Sequence, residues 1–341
     1  MPHHAFIAVT TQPVPYHADT TAIFNTLCNH PNTLLLDSAE IGSKNSLQSL
    51  ILINAAVKIS CLGHNVTFKA LNANGKQVLK EIQPILIALA QSKGSESAFN
   101  FDDEFSVDFA PLDNQLDEDS KLQSATIFDG LRVISNLYQH SQTPVFLGGL
   151  FAYDLVANFI PMNGIALKDD GIHCPDYSFY LAEHLITIDH QSQQATLKSF
   201  CFAQEEQVNV AKTALSIAQN LKNIDNVLSI KSASDEVKTN FDDPEFTGIV
   251  KALKHHINIG DVFQIVPSRR FSLACPNALA SYAQLKQNNP SPYMFYMNDE
   301  EFILFGASPE SALKYAPENR QLEIYPIAGS RPRGFDAHGN I

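Results

Sequence analysis

Two strand-like runs that lie almost end to end constrain this chain most: Ser178 to Asp189 and Ala195 to Phe202, separated only by a Gln/Ser turn. Strands joined by so short a connection pair antiparallel, because a parallel pair needs a crossover of about a dozen residues or more. The pattern recurs at Tyr293 to Asn298 and Phe302 to Phe305, which flank the tip Asn298-Asp-Glu-Glu301 and read as a second hairpin. Thr33 to Glu40 reads as a buried strand ending in a polar turn. Apolar alternation resumes over Leu50 to Ser60 and Val66 to Leu71, and Asn74-Gly75 is a turn signal. Helices fit Ala22 to Cys28, Lys76 to Gln91, Ile127 to Tyr138, Glu205 to Leu221 and Leu279 to Gln287. Hairpin-paired strands with helices scattered between them predict an α+β fold, an antiparallel β core flanked by helices, rather than alternating βαβ units.

Several further segments carry local signals. Val145 to Tyr153 reads as a strand whose Gly148-Gly149 pair marks a bulge or the close approach of another backbone. Asp243-Pro244 supplies a cap and a proline at the first helical position, ahead of a helix that runs to about Ile259 and is ended by Gly260. Val262 to Val266 and Leu322 to Ile327 read as strands, and Ser308-Pro309-Glu310 has the form of a helix start. The acidic stretch Asp102 to Asp119 reads as a loop with solvated carboxylates. Ser229 to Asn240 is the most linker-like stretch, which divides the chain into 1–228, a linker 229–242, and 243–341. There is no internal repeat and no GxxxxGK phosphate loop.

With 341 residues, 45% of them hydrophobic, the chain has material for one large or two medium domains. No apolar run approaches the roughly 18 residues of a membrane span. The first residues, Met1-Pro-His-His-Ala-Phe-Ile, lack the marks of a secretory signal, so a cytoplasmic location is expected. A formal charge of −13 with no compensating Lys/Arg block argues against nucleic acid as a partner. Five dispersed cysteines without a CxxC pair predict reduced thiols rather than a disulfide framework or zinc site. Neither His3-His4 nor His255-His256 has the i, i+4 spacing of a helical metal site.

Four segments could carry chemistry. The turn Gly329-Ser330-Arg331-Pro332-Arg333 offers backbone N–H groups, a hydroxyl and two guanidinium forks suited to carboxylates, or is simply a basic turn after a strand. Arg269-Arg270 could act likewise or form surface ion pairs. Glu310 is a candidate general acid if partly buried, or a helix-start carboxylate. Asp37-Ser38-Ala39-Glu40 together with Asn289-Pro-Ser-Pro-Tyr-Met-Phe295 would supply the hydroxyl, carboxylates and aromatic-plus-Met surface that an amino-acid ligand with an apolar ring requires; a core strand and a Pro-rich turn is the plain alternative.

These segments, taken in order, resemble the large subunit (component I) of anthranilate synthase within the chorismate-utilising enzymes. The resemblance runs from about Phe24 to Gly334. It rests on Leu34-Leu-Leu-Asp-Ser-Ala-Glu40, Gly148-Gly-Leu-Phe-Ala-Tyr-Asp154, Cys174-Pro-Asp176, Gly260-Asp-Val-Phe-Gln-Ile-Val-Pro-Ser-Arg-Arg-Phe271, Asn289 to Phe295, Phe305-Gly-Ala-Ser-Pro-Glu310 and Tyr325-Pro-Ile-Ala-Gly-Ser-Arg-Pro-Arg-Gly334. It implies an α+β sandwich fold and conversion of chorismate to anthranilate and pyruvate, with ammonia from a glutamine amidotransferase partner (component II) and with Mg²⁺. By the same resemblance Gly329 and Ser330 would contact chorismate, Glu310 would be the acid assisting loss of the ring hydroxyl, and Ser38, Pro292, Tyr293 and Met294 would form the pocket where L-tryptophan inhibits.

Two positions separate the relatives. Aminodeoxychorismate synthases usually carry Lys where this chain has Ala328, and isochorismate and salicylate synthases carry Lys at the position of Gln264; a methyl and an amide cannot replace those amines. Ser330 stands where Thr is usual and Asp37 where Glu is common. The Mg²⁺-binding glutamates of the family are expected in a C-terminal region beyond residue 341, so no metal ligand is assigned in this chain and turnover by it alone is not expected. The alternatives are a non-catalytic module that binds tryptophan or a partner, and another chorismate-utilising synthase such as aminodeoxychorismate synthase component I.

Overall fold

The structure, a computed structural model, describes residues 5–38, 47–91, 98–101, 103–111, 115–160, 174–224, 236–326 and 334. The chain divides into two compact units, one formed by 1–227 with 285–341 and the other by 228–284.

In the first unit the elements run β1 (Ala8–Val14), α1 (Thr20–Leu27), β2 (Thr33–Asp37), β3 (Gln48–Leu62), β4 (Asn65–Ala70), α2 (Ala73–Gln91), β5 (Ala98–Phe101), β6 (Glu104–Asp108), α3 (Glu118–Gln123), α4 (Asp129–Leu137), β7 (Leu147–Phe151), β8 (Tyr177–Asp189), β9 (Gln194–Cys201) and α5 (Gln207–Asn220). The second unit holds β10 (Lys238–Thr239), α6 (Asp243–Asn258) and β11 (Phe271–Ser272); α7 (Ala278–Asn288) leads back to the first unit. There β12 (Tyr293–Asn298), β13 (Ile303–Ser308), β14 (Lys314–Ala316) and β15 (Gln321–Glu323) complete the described elements.

Eleven strands form one hydrogen-bonded sheet, antiparallel throughout. Its spine is the long pair β3 and β8, whose register shifts between Leu52 and Val57. Each spine strand changes its outer partner along its length. The first part of β3 pairs with β2 and the second with β4, while the first part of β8 pairs with β7 and the second with β9. One end of the spine therefore carries β1-β9-β8-β3-β2-β12-β13, and the other β7-β8-β3-β4-β6-β5. Bulges bend and twist a strand locally, which suits a spine that must serve both ends.

The core lies over that spine. Val78, Ile82 and Leu86 recur every four residues along α2, and all three are fully buried with Ile59, Phe68, Tyr180 and Leu181. Burial on this repeat is what makes α2 a helix despite Pro84 in its interior. Gly149 of β7 meets β8 so closely that an added Cβ would stand 2.0 Å from the Ser178 carbonyl oxygen. The close approach expected at the Gly148-Gly149 pair is found there.

The antiparallel α+β core, both hairpins and most helices stand where the sequence places them. Other readings need correction. Asn74-Gly75 is not a turn but the first turn of α2, where Gly75 lets the helix press against Ala56. The acidic stretch after Asp102 contains β6, whose Phe105 and Val107 are buried while Glu104, Ser106 and Asp108 alternate outward, and its end opens α3. Val262 to Val266 forms no strand, and Phe263 and Val266 are exposed. Ser308-Pro309-Glu310 does not start a helix; it leaves the end of β13. The cap of α6 is Asp242 rather than Asp243, with Glu245 completing a reciprocal capping box. Most of the linker-like segment lies outside the described residues.

Candidate effector and catalytic segments

Strand pairing between β2 and β12 joins the two segments expected to form an effector pocket, which lie far apart in sequence. Met294 stands opposite Asp37, so Tyr293 comes beside Ser38, the residue that follows β2. Pro292 and Ser38 are half-buried, Tyr293 is exposed at the edge and Met294 is buried. Ser38, Pro292, Tyr293 and Met294 are thus brought to one end of the β2–β12 pair, with Ser38 and Tyr293 on one face and Met294 on the buried face with Asp37.

Asp37 does not face that edge. Successive side chains on a strand point to opposite faces, and Asp37 shares the buried face with Leu35. Its Oδ2 accepts a hydrogen bond from Thr20 Oγ1 at 2.7 Å and pairs with the Lys286 ammonium, and its Oδ1 accepts from the Ser49 hydroxyl. Burial alone would raise the Asp37 pKa; the Lys286 charge and these donors hold it below the usual carboxylate range. Behind Ser49 a chain of donors continues. The Ser49 oxygen lies 2.8 Å from His190 Nε2, and His190 Nδ1 lies 3.3 Å from the Tyr16 hydroxyl. Every group finds a complement if Nε2 carries the proton: Tyr16 donates to His190, His190 to Ser49, and Ser49 to Asp37. The carboxylate expected to meet a ligand instead organises the interior behind Ser38.

Glu310 enters the same region through β13. Tyr293 pairs with Ser308 and Met294 with Ala307. The Ser308 hydroxyl donates to the Glu310 carbonyl oxygen at 2.9 Å and accepts from the Glu310 N–H at 3.3 Å, while the buried Ser291 hydroxyl donates to the Ser308 carbonyl. Glu310 is half-buried. Gly329 and Ser330 lie outside the described residues, as does Ala328. Within the second unit, Arg269 is occupied internally: it pairs with Asp243 at 2.6 Å, donates to the Phe241 carbonyl at 2.8 Å and stacks over Phe271. The ion-paired reading of this arginine is the one observed. Gln264 is exposed.

The far end of the β12–β13 hairpin is anchored as well. Asp299 at its tip is buried against β3 and β8, pairing with Lys58 at 2.7 Å and accepting from the Tyr180 hydroxyl. Its neighbour Glu300 pairs with Lys69 at 3.0 Å and accepts from Asn32 at 3.1 Å. Neither anchor is signalled by local sequence, where Asn298 to Glu301 reads only as the tip of a hairpin.

A family model described as chorismate binding enzyme matches residues 84–340. This chain belongs to the chorismate binding enzymes. It is 89% identical over 338 residues to anthranilate synthase component 1 of Haemophilus influenzae, a match that covers 99% of this chain and 64% of the relative. The Escherichia coli protein of the same name is 43% identical over 333 residues, covering 96% of this chain and 62% of that one. The chain thus spans less than two thirds of the length of these relatives. Among solved structures, anthranilate synthase component I from Streptococcus pneumoniae shares the fold, with a TM-score of 0.52 at 18% identity, over 82% of this chain and 54% of that one.

The resemblance implies Mg²⁺. Among the described residues no group of three or more His, Cys, Asp or Glu side chains could hold a metal ion. Those residues do not fit the ion. No helix among them is long and apolar enough to cross a membrane.

Proposed function

We propose that this chain carries anthranilate synthase component I sequence and that the reaction belongs to the full length its relatives possess. The observation that carries the reading is the 89% identity to a component 1 protein over 99% of the chain. In the reaction, chorismate and ammonia give anthranilate, pyruvate and water. A C–N bond forms at the ring as the bond to the ring hydroxyl breaks, and the hydroxyl leaves as water with a proton from Glu310; the ring carbon bearing the new amine then loses its proton as the C–O bond to the enolpyruvyl group breaks, which makes the ring aromatic, and the released enolpyruvate takes up a proton to give pyruvate. Gly329 and Ser330 would hold chorismate, and a glutamine amidotransferase subunit, component II, would supply the ammonia. Mg²⁺ would be required, with ligands outside the residues described.

The same reading assigns 1–228 to the effector region, 229–242 to a linker and 243–341 to the start of the chorismate-binding region, in a cytoplasmic enzyme of tryptophan biosynthesis. Ser38, Pro292, Tyr293 and Met294 form the feedback pocket for L-tryptophan. Their convergence through the pairing of Met294 with Asp37 supports it. Calorimetric titration of the purified chain with L-tryptophan, beside titration with chorismate and Mg²⁺ and an anthranilate fluorescence assay with added ammonia, tests the reading. Tryptophan binding supports it, and binding of neither ligand contradicts it. Anthranilate formation by this chain alone would show that the further segment is dispensable.

A further inference from the structure

Asp37 is joined to the effector segment at two places. Across the strands its Cα is the partner of Met294, and through its side chain it pairs with Lys286. Lys286 sits in the last turn of α7, three residues before Asn289. The chain between them, Asn289-Pro-Ser-Pro-Tyr293, is therefore a short loop with both ends fixed on one residue. Ser38 lies beside that loop as the next residue after Asp37.

The chemistry of the attachment suits a clamp rather than a ligand contact. The Asp37 side chain is 1% exposed and that of Lys286 25% exposed. Both carboxylate oxygens are taken by Thr20, Ser49 and Lys286, and the Lys286 ammonium also donates to Thr20 Oγ1 at 3.0 Å. Three of the roughly four lone pairs of the carboxylate are thus engaged by these donors. Burial opposes the Asp37 charge, and the Lys286 cation beside it offsets that cost together with the two hydroxyl donors.

We propose that the Lys286–Asp37 ion pair positions the 289–293 loop over Ser38, making Lys286 an affinity-determining positioning residue of the L-tryptophan site that it does not touch. This rests on the reading of Ser38, Pro292, Tyr293 and Met294 as an effector pocket. Thr20 extends the clamp to α1.

The test is calorimetric titration of L-tryptophan into the full 341-residue chain and three variants: Lys286→Met, Lys286→Arg, and Lys286→Met combined with Asp37→Asn. Lys286→Met keeps the aliphatic stem and leaves Asp37 without its cation, so both tryptophan affinity and thermal stability fall, affinity by tenfold or more. Lys286→Arg retains most of the affinity. The double variant carries no uncompensated charge and recovers thermal stability while its tryptophan affinity stays low, which a purely stabilising role for the pair would not give. It also keeps the test intact should Lys286→Met fail to fold. Wild-type affinity in the double variant, or in folded Lys286→Met, would overturn the clamp. Absence of tryptophan binding by the unaltered chain would overturn the effector reading itself, and the clamp with it.

Discussion

Tyr293 stands directly opposite Ser308 in the β12–β13 hairpin, and the Ser308 hydroxyl grips the backbone of Glu310 on both its N–H and its carbonyl. The segment assigned to an effector and the residue assigned as an acid are thus one strand pair and one side chain apart. A shift of β12 against β13 would displace the Glu310 backbone without a longer route. Ser308→Ala removes both hydrogen bonds, and the one that holds the Glu310 N–H is worth about 1 kcal/mol. The Glu310 amide should then exchange with solvent roughly fivefold faster, while the amide of Met297, farther along the hairpin, should be unchanged; hydrogen–deuterium exchange by NMR reads both.

The hairpin tip is held by a buried charge pair, with the Asp299 side chain 1% exposed and that of Lys58 11%. Removing one member of such a pair strands the other, at a cost of about 3 kcal/mol. Lys58→Met should lower stability by that order in urea titration, and Lys58→Met with Asp299→Asn should recover part of it. Burial opposes the Asp299 charge, yet Lys58 and Tyr180 together keep its pKa below the usual carboxylate range. Its stabilising contribution is therefore present above the unfolded-state pKa and is lost as pH falls toward and through the folded value. The double variant should have a flatter stability profile at acid pH than the unaltered chain.

A bulge in β8 creates an opposed pair of titrations. Asn54 pairs with His184 and Ala55 with Ala182, which leaves Glu183 out of the register. Asn72 and Asn74 donate to its carboxylate at 3.1 and 2.8 Å. Burial, reinforced by Glu206 and offset in part by the two amides, pushes the Glu183 pKa up to about 7. Burial also lowers His184 to about 4, and its Nδ1 lies 2.9 Å from Ser199 Oγ. Glu183 binds its proton more tightly when folded, so its contribution is full below the unfolded value of 4.5 and is lost as pH rises through 7. His184 contributes fully above 6.5, and that contribution is lost as pH falls through 4. Each is worth about 3 kcal/mol, and over the shared window they largely cancel. Glu183→Gln should expose the histidine, giving stability that climbs with pH between 4 and 6.5, measured by urea unfolding at fixed pH values.

The contact of β7 with β8 leaves no space at Gly149, where an added Cβ would stand 2.0 Å from a main-chain oxygen that cannot rotate away. Gly149→Ala should cost about 3 kcal/mol by overpacking, read as a fall in the urea midpoint with the slope of the transition retained.

Local structure was legible in this sequence wherever the deciding interactions are local. The β8–β9 and β12–β13 hairpins announce themselves because each pairs neighbours across a short turn. What failed did so for identifiable reasons. Asn74-Gly75 has turn composition, but Gly75 is there for close packing on Ala56, and Asn74 is a buried connector that binds Glu183, Phe200, Phe202 and Ala203. In β6 the alternation of Phe105 and Val107 was present and was outweighed by the surrounding charge. At the site, the resemblance points to Ser38 and Tyr293, whereas no local pattern points to Lys286, whose partner Asp37 lies 249 residues away. A signal did exist: period-2 alternation puts Asp37 on the buried face with Leu35, and a buried carboxylate requires a partner.

The most direct test of the account uses the chain's four methionines. Methyl-labelled methionine gives few resonances, and Met294→Leu identifies that of Met294. On titration with L-tryptophan the account predicts that the Met294 methyl shifts saturably, with the same midpoint as calorimetry, and that Ser38→Ala moves that midpoint to higher tryptophan concentration. A Met294 methyl that stays fixed while tryptophan binds would place the effector elsewhere and contradict the site described for this chain.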